Sequence, residues 1–145
     1  MFQVCFSKPG FASEYKLGRD LGKGAFSTVY LAHHIKTKSP VAVKVVLRKK
    51  LTRDDERALQ AEVQVLEEVR GNEGIITLIK YFGEPQKHYL VLEVMTGGEL
   101  FQRIVTREQY SEVDALEVVR TIANVLEFIH GRDIAIATSS PKTFY

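Results

Sequence analysis

Apolar positions in this chain change period several times, and each change marks an element. Val41-Ala42-Val43-Lys44-Val45-Val46 is a short, nearly unbroken apolar run, the pattern of a buried strand. Thr28-Val29-Tyr30-Leu31 concentrates β-branched and aromatic residues, predicting a strand over Ser27 to His33, and Tyr15 to Leu21 reads as its neighbour across a glycine-rich turn. Ile35 to Pro40 is a polar turn. Leu59, Val63 and Leu66 then recur at helical spacing. Thr52 stands as N-cap, and Asp54, Asp55 and Glu56 fill a first turn whose dipole favours acids. Gly71 ends that helix. Ile75 to Phe82 and His88 to Val94 read as two further strands joined by Gly83-Glu84-Pro85-Gln86-Lys87, a turn by composition. After the Gly97-Gly98 break, Glu99 to Thr106 reads as a short helix. Ser111, with Asp114 three residues on, opens a longer one to about Ile129 through a capping box. Residues 1–12, with the breaker Pro9-Gly10, read as an irregular arm. The expected order is five strands with one helix between the third and fourth, then two helices: an α+β chain.

Composition narrows the function classes. The 145 residues suit one domain or part of a larger one, and 45% hydrophobic with 26% charged residues is ordinary for a chain with a packed core. A net charge of +2 is too weak to argue for nucleic acid or a membrane surface as partner. The basic run Arg48-Lys49-Lys50 reads as a solvated edge, with a phosphate-binding patch as the alternative. The single cysteine, Cys5, makes no internal disulfide, which fits a reducing compartment, and a cytoplasmic location is expected. The first residues lack a basic region followed by a long apolar run, and no window approaches 18 apolar residues, so neither a signal peptide nor a transmembrane helix is expected.

The turn Leu21-Gly22-Lys23-Gly24-Ala25-Phe26-Ser27 brings in candidate chemistry. Glycines let backbone N–H groups approach phosphate with no Cβ in the way. A Walker A loop needs G-x-x-x-x-G-K-[ST], which is absent. A dinucleotide fingerprint needs a third glycine and then a helix, whereas Ser27 and a strand follow here. A kinase-type strand-turn-strand loop and an ordinary flexible hairpin both remain open from the turn alone. Lys44 adds weight, because an amine inside an apolar strand is costly unless paired. It either snorkels from an edge strand or finds a partner, and Glu62, amid Ala61, Val63 and Val65, is an acid in need of a cation.

These motifs, with Tyr89-Leu90-Val91-Leu92-Glu93-Val94-Met95-Thr96-Gly97-Gly98-Glu99-Leu100 after them, occur in order and at suitable spacing. The chain resembles the N-terminal lobe of a eukaryotic protein kinase over roughly Tyr15 to His130. YLVLEVMTGGELFQRI is most similar to the calcium/calmodulin-dependent group of serine/threonine kinases. The resemblance implies an arm (1–14), a lobe of five antiparallel strands and one helix (15–94), a hinge and the first two helices of an incomplete second lobe (95–130), and a divergent tail (131–145). It implies ATP as ligand, with Mg²⁺ in the family. The loop from Gly22 through Lys23, Gly24, Ala25 and Phe26 to Ser27 would cover the phosphates, and Lys44, paired with Glu62, would hold two of them. Leu21, Val29 and Ala42 would sandwich the adenine, with Leu92 as gatekeeper. The backbone of Glu93 and Met95 would bind the adenine edge, and Glu99 would approach the ribose or a basic substrate residue.

The end of the chain, FIHGRDIAIATSSPKTFY, departs from that pattern. In the family, H-R-D-L-K-P-E-N carries the base and a Mg²⁺ ligand. If Asp133 were the base, Ala135 and Thr138 would stand in the Lys and Asn places, and neither has the chemistry. Phe128-Ile129-His130 matches a helix end and Gly131 to Ala135 a linker, so Asp133 reads as a decoy and the motif is expected from residue 136, where IATSSPKTFY stands instead. No D-F-G follows. A splice form, retained intron or truncated gene model would produce this. The expected function is the ATP-binding portion of a serine/threonine kinase, inactive as given. The alternative is a non-catalytic module that engages protein partners of the parent kinase.

Overall fold

The computed structural model describes residues 10–98, 111–132 and 134. The chain divides into two compact units, Met1–Val63 with Leu78–Val94, and Gln64–Thr77 with Met95–Tyr145. In the first, the β-branched runs become β1 (Tyr15–Lys23), β2 (Ser27–His34), β3 (Pro40–Leu47), β4 (Leu78–Gly83) and β5 (Lys87–Leu92). They form one antiparallel sheet in the order β1-β2-β3-β5-β4. β3 lies at its centre, which is why its sequence is apolar almost throughout. Val43 and Val45 share one face with their β5 partners Val91 and Tyr89. Ala42, Lys44 and Val46 share the other with Leu92, Leu90 and His88.

The first face is closed by the arm. Sequence pattern predicts no structure up to residue 12, yet Phe11–Glu14 forms the one-turn helix α1. Phe11 stacks on Tyr89 with ring centroids 4.1 Å apart and meets Phe82 edge-on. Glu84 accepts from the Phe11 N–H at 2.9 Å, and Lys80 donates to both Glu14 carboxylate oxygens at 2.7 and 2.6 Å. A single turn cannot hold itself in water. Contacts with residues some 70 positions away in the chain hold it, so no local signal announces it.

The second face is covered by α2 (Arg53–Glu68), which buries Leu59 and Val63. Its cap is reciprocal: Asp55 N donates to Thr52 Oγ1 at 3.2 Å, and Thr52 N donates to Asp55 Oδ2 at 2.8 Å. The helix ends at Glu68, a few residues before Gly71 takes φ 92°, a conformation that side-chain-bearing residues avoid. Strand bounds follow pairing rather than composition. β1 runs on to Lys23, β4 starts at Leu78 rather than Ile75, and β5 stops at Leu92 rather than Val94. β1 is irregular after Leu17 and again after Asp20, and a Cβ at Gly18 would lie 2.9 Å from Leu31 O, so glycine permits the close approach of β2.

In the second unit, α3 (Glu112–His130) opens with the expected capping box of Ser111 and Asp114. The segment before β4 packs on it closely enough that a Cβ at Gly74 would collide with Val125 Cγ2. Ile129 is buried, while Val113, Leu116 and Val119 are exposed. The short helix expected over Glu99 to Thr106 lies outside the described residues, as does Asp133. No helix among the described residues is long and apolar enough to cross a membrane.

Candidate functional site

The glycine turn is closed by its own backbone. Gly22 pairs with Val29 and Lys23 with Thr28, and the Gly24 N–H donates to Ser27 O at 2.8 Å, leaving Ala25 and Phe26 at the tip. Phe26 is half exposed. A Cβ at Gly24 would meet Ser27 Oγ at 3.1 Å, whereas one at Gly22 would meet nothing within 4 Å. Contacts among the described residues therefore do not account for a glycine at 22. Lys23 forms an exposed pair with Asp20 at 3.4 Å.

Lys44 lies between Val29 on β2 and Leu90 on β5, on the face that α2 covers. Its Nζ donates to both carboxylate oxygens of Glu62, at 2.6 and 3.0 Å. The two side chains are 27% and 42% exposed. Water screens such a pair, which contributes about 0–1 kcal/mol rather than the several that full burial would imply. Its value is geometric, since the carboxylate fixes where the amine stands. A cavity of about 250 Å³ opens beside it, walled by Phe26, Ser27, Val46 and Leu59 as well as by Lys44 and Glu62.

Val29, Ala42, Lys44 and Leu92 share one sheet face by register, so four of the expected side chains are brought together. Leu21 is 44% exposed. Glu93 belongs to the first unit and Met95, itself exposed, to the second. Glu99 lies outside the described residues.

Two acids at the start of α2 titrate low. The Thr52 backbone N–H, then its hydroxyl, hold Asp55 below the ordinary aspartate range. Burial pushes Glu56 up, but the hydrogen bond and charge of His88, with the Arg48 guanidinium, outweigh it and leave the carboxyl below its usual value.

These contacts belong to a cluster that sequence reasoning missed. His88 is fully buried, with Tyr81, Arg48 and Glu56 around its ring. Arg48, Lys49 and Lys50 are exposed, as expected of a solvated edge, but Arg48 also joins this cluster. Its side chain stays 40% exposed while its Nε donates to His88 Nε2 at 2.8 Å. The available signal was a histidine on the inward-facing alternation of an otherwise apolar strand.

The sheet, the covering helix and the lysine-glutamate pair define a kinase-type lobe. The chain belongs to the protein kinase family: the family described as "Protein kinase domain" matches residues 15–136. It is 41% identical over 128 residues to myosin light chain kinase A of Dictyostelium discoideum, covering 88% of this chain and 43% of that protein. Calcium-dependent protein kinase 5 of Oryza sativa subsp. japonica is 34% identical over 137 residues, covering 94% and 25%. Calcium-dependent protein kinase 14 of Arabidopsis thaliana is 36% identical over 132 residues, covering 90% and 25%. The likeness to the calcium/calmodulin-dependent group of serine/threonine kinases therefore holds, and the chain spans less than half the length of each of these relatives.

Proposed function

We propose that these residues form the ATP-binding portion of a serine/threonine protein kinase, whose family reaction moves the γ-phosphoryl group of ATP to a protein hydroxyl. The observation that carries this reading is the Lys44–Glu62 pair beside the glycine turn. Lys44 would hold two phosphates, and Glu62 keeps its amine in place. The open space over Gly22 fits close approach of a phosphate to the turn's backbone. Leu21, Val29, Ala42 and Leu92 would flank the adenine. The backbone of Glu93 and Met95 would hold its edge, and Glu99 would approach the ribose or a basic substrate residue. ATP supplies the group transferred; the chain's own residues bind and orient it. The family's magnesium site does not fit the residues present. Where the family carries H-R-D-L-K-P-E-N, the chain reads IATSSPKTFY. Among the described residues, no group of three His, Cys, Asp or Glu could hold a metal ion.

The first test is titration of a fluorescent ATP analogue against the chain and against Lys44→Met. Binding should weaken at least about tenfold in the variant, the scale of one lost charged hydrogen bond. Equal binding by both would sink the nucleotide reading.

A second reading, a module that engages protein partners without catalysis, is favoured by the run IATSSPKTFY where the family carries its base. Under both readings the polypeptide of these 145 residues transfers no phosphate. Labelled ATP, Mg²⁺ or Mn²⁺ and a basic protein substrate should give background counts. Counts above background that vanish in Asp133→Asn would make Asp133 the base and overturn its reading as a linker residue.

A further inference from the structure

His88 is the one buried polar side chain among the described residues. It stands on β5, on the face that carries Lys44, and its ring is engaged at both nitrogens. Nδ1 lies 2.6 Å from Tyr81 Oη, which also accepts from Gln60 Nε2 at 2.9 Å. Nε2 lies 2.8 Å from Arg48 Nε and 2.9 Å from Glu56 Oε1, and Arg48 Nη2 donates to the same Glu56 oxygen at 2.8 Å. One imidazole thus ties together β4, β5, the 3-10 turn Arg48–Lys50 and α2. Nε2 accepts from Arg48 when it bears a lone pair and donates to Glu56 when it bears a proton; it cannot do both at once. Glu56 keeps a partner in either state, Arg48 Nη2 in the first and His88 in the second.

The consequence lies in how α2 is oriented. Leu59 and Val63 press the helix onto the sheet, but apolar contact is non-directional and fixes rotation about the helix axis poorly. Hydrogen bonds are directional. Glu56 and Gln60, one turn apart, are held by the His88–Tyr81 pair. Glu62 projects about 120° round the axis from Glu56, toward β3. We propose that His88 and Tyr81 are positioning residues that set the rotation of α2 through Glu56 and Gln60, and so hold the Glu62 carboxylate on the Lys44 amine. The meaning of this for ATP rests on the function proposed above; the coupling between the two clusters does not.

The test reads Lys44 directly. The chain is acetylated with N-hydroxysuccinimide acetate, and the rate at Lys44 is taken relative to Lys80, whose pair with Glu14 lies on the opposite face, by peptide mass spectrometry. Glu62→Gln sets the rate for an unpaired Lys44. His88→Leu should raise the Lys44 rate about two- to fivefold, the range set by losing a partly exposed ion pair. Tyr81→Phe should move it less, in the same direction. Adding His88→Leu to Glu62→Gln should change nothing further, because both act on one contact. An unchanged Lys44 rate in the single variants, additive effects in the double, or equal acceleration at Lys80 would overturn the proposal, the last because His88 would then merely hold the fold. If His88→Leu fails to fold by circular dichroism, Tyr81→Phe decides alone. A chain that shows this coupling but binds no ATP analogue would remove the nucleotide reading and leave the positioning role.

Discussion

Lys44 and Arg48 show how far a residue's neighbours in the chain describe its surroundings. Val43 and Val45 suggest a buried amine, but they face the other side of the sheet, and Lys44 keeps water on one flank. Arg48 sits in a basic run that suggests solvent, yet it reaches a buried imidazole. Period-2 alternation predicts the first outcome, and only the fold decides the second. The acids of α2 give a pH prediction at this scale. Asp55 and Glu56 both titrate below their ordinary values of 3.8 and 4.5. At pH near those values the unfolded chain binds more protons than the folded one. Their contribution is therefore present above that range and lost as pH falls through it. Urea midpoints should drop between about pH 6 and pH 3, and Asp55→Asn, which keeps an acceptor for Thr52 but no titrating carboxyl, should flatten part of the drop. A slope identical to wild type would remove Asp55 from the account. At the alkaline end the sign reverses. Burial, then Glu14 and Glu84 respectively, raise the Tyr15 and Tyr89 phenols, so stability is lost as pH climbs past their ordinary value of 10.0.

At the scale of elements, β3 and α2 follow from pattern because each satisfies its own local rules: an apolar run for a central strand, and a cap with an apolar stripe for a helix. α1 does not. It is four residues long and depends on Tyr89, Phe82, Glu84 and Lys80. Phe11→Ala should lower stability by about 3 kcal/mol. That is the low end for a buried phenylalanine, because the arm can detach rather than leave a cavity. Phe11→Leu should recover part of the loss. Chemical denaturation of the three chains measures this, and an unchanged midpoint in Phe11→Ala would mean that the arm adds nothing to the sheet.

For the whole molecule, α3 carries the consequence. Val113, Leu116, Val119, Ile122 and Leu126 are between 39% and 69% exposed along one helix. A contiguous apolar strip of this kind favours association once it exceeds a few hundred Å². The 145-residue chain should self-associate at high concentration, and a chain ending at Thr106 should be more soluble. Size-exclusion chromatography with light scattering decides it: a monodisperse monomer of the full chain at high concentration would contradict the expectation.

Legible along the chain alone are the five strands, the two longer helices with their capping residues, and the kinase resemblance, which implies the pairing of Lys44 with Glu62. Each of these is written in local periodicity or in a motif of fixed spacing. The existence of α1, the bond from Arg48 to a buried imidazole, and the meeting of His88 with Tyr81, Arg48 and Glu56 at one point come from the folded chain. Those contacts join residues between 7 and 73 positions apart. Their energy comes from burial and directional hydrogen bonds between elements, and no window along the chain contains both partners in a recognisable pattern.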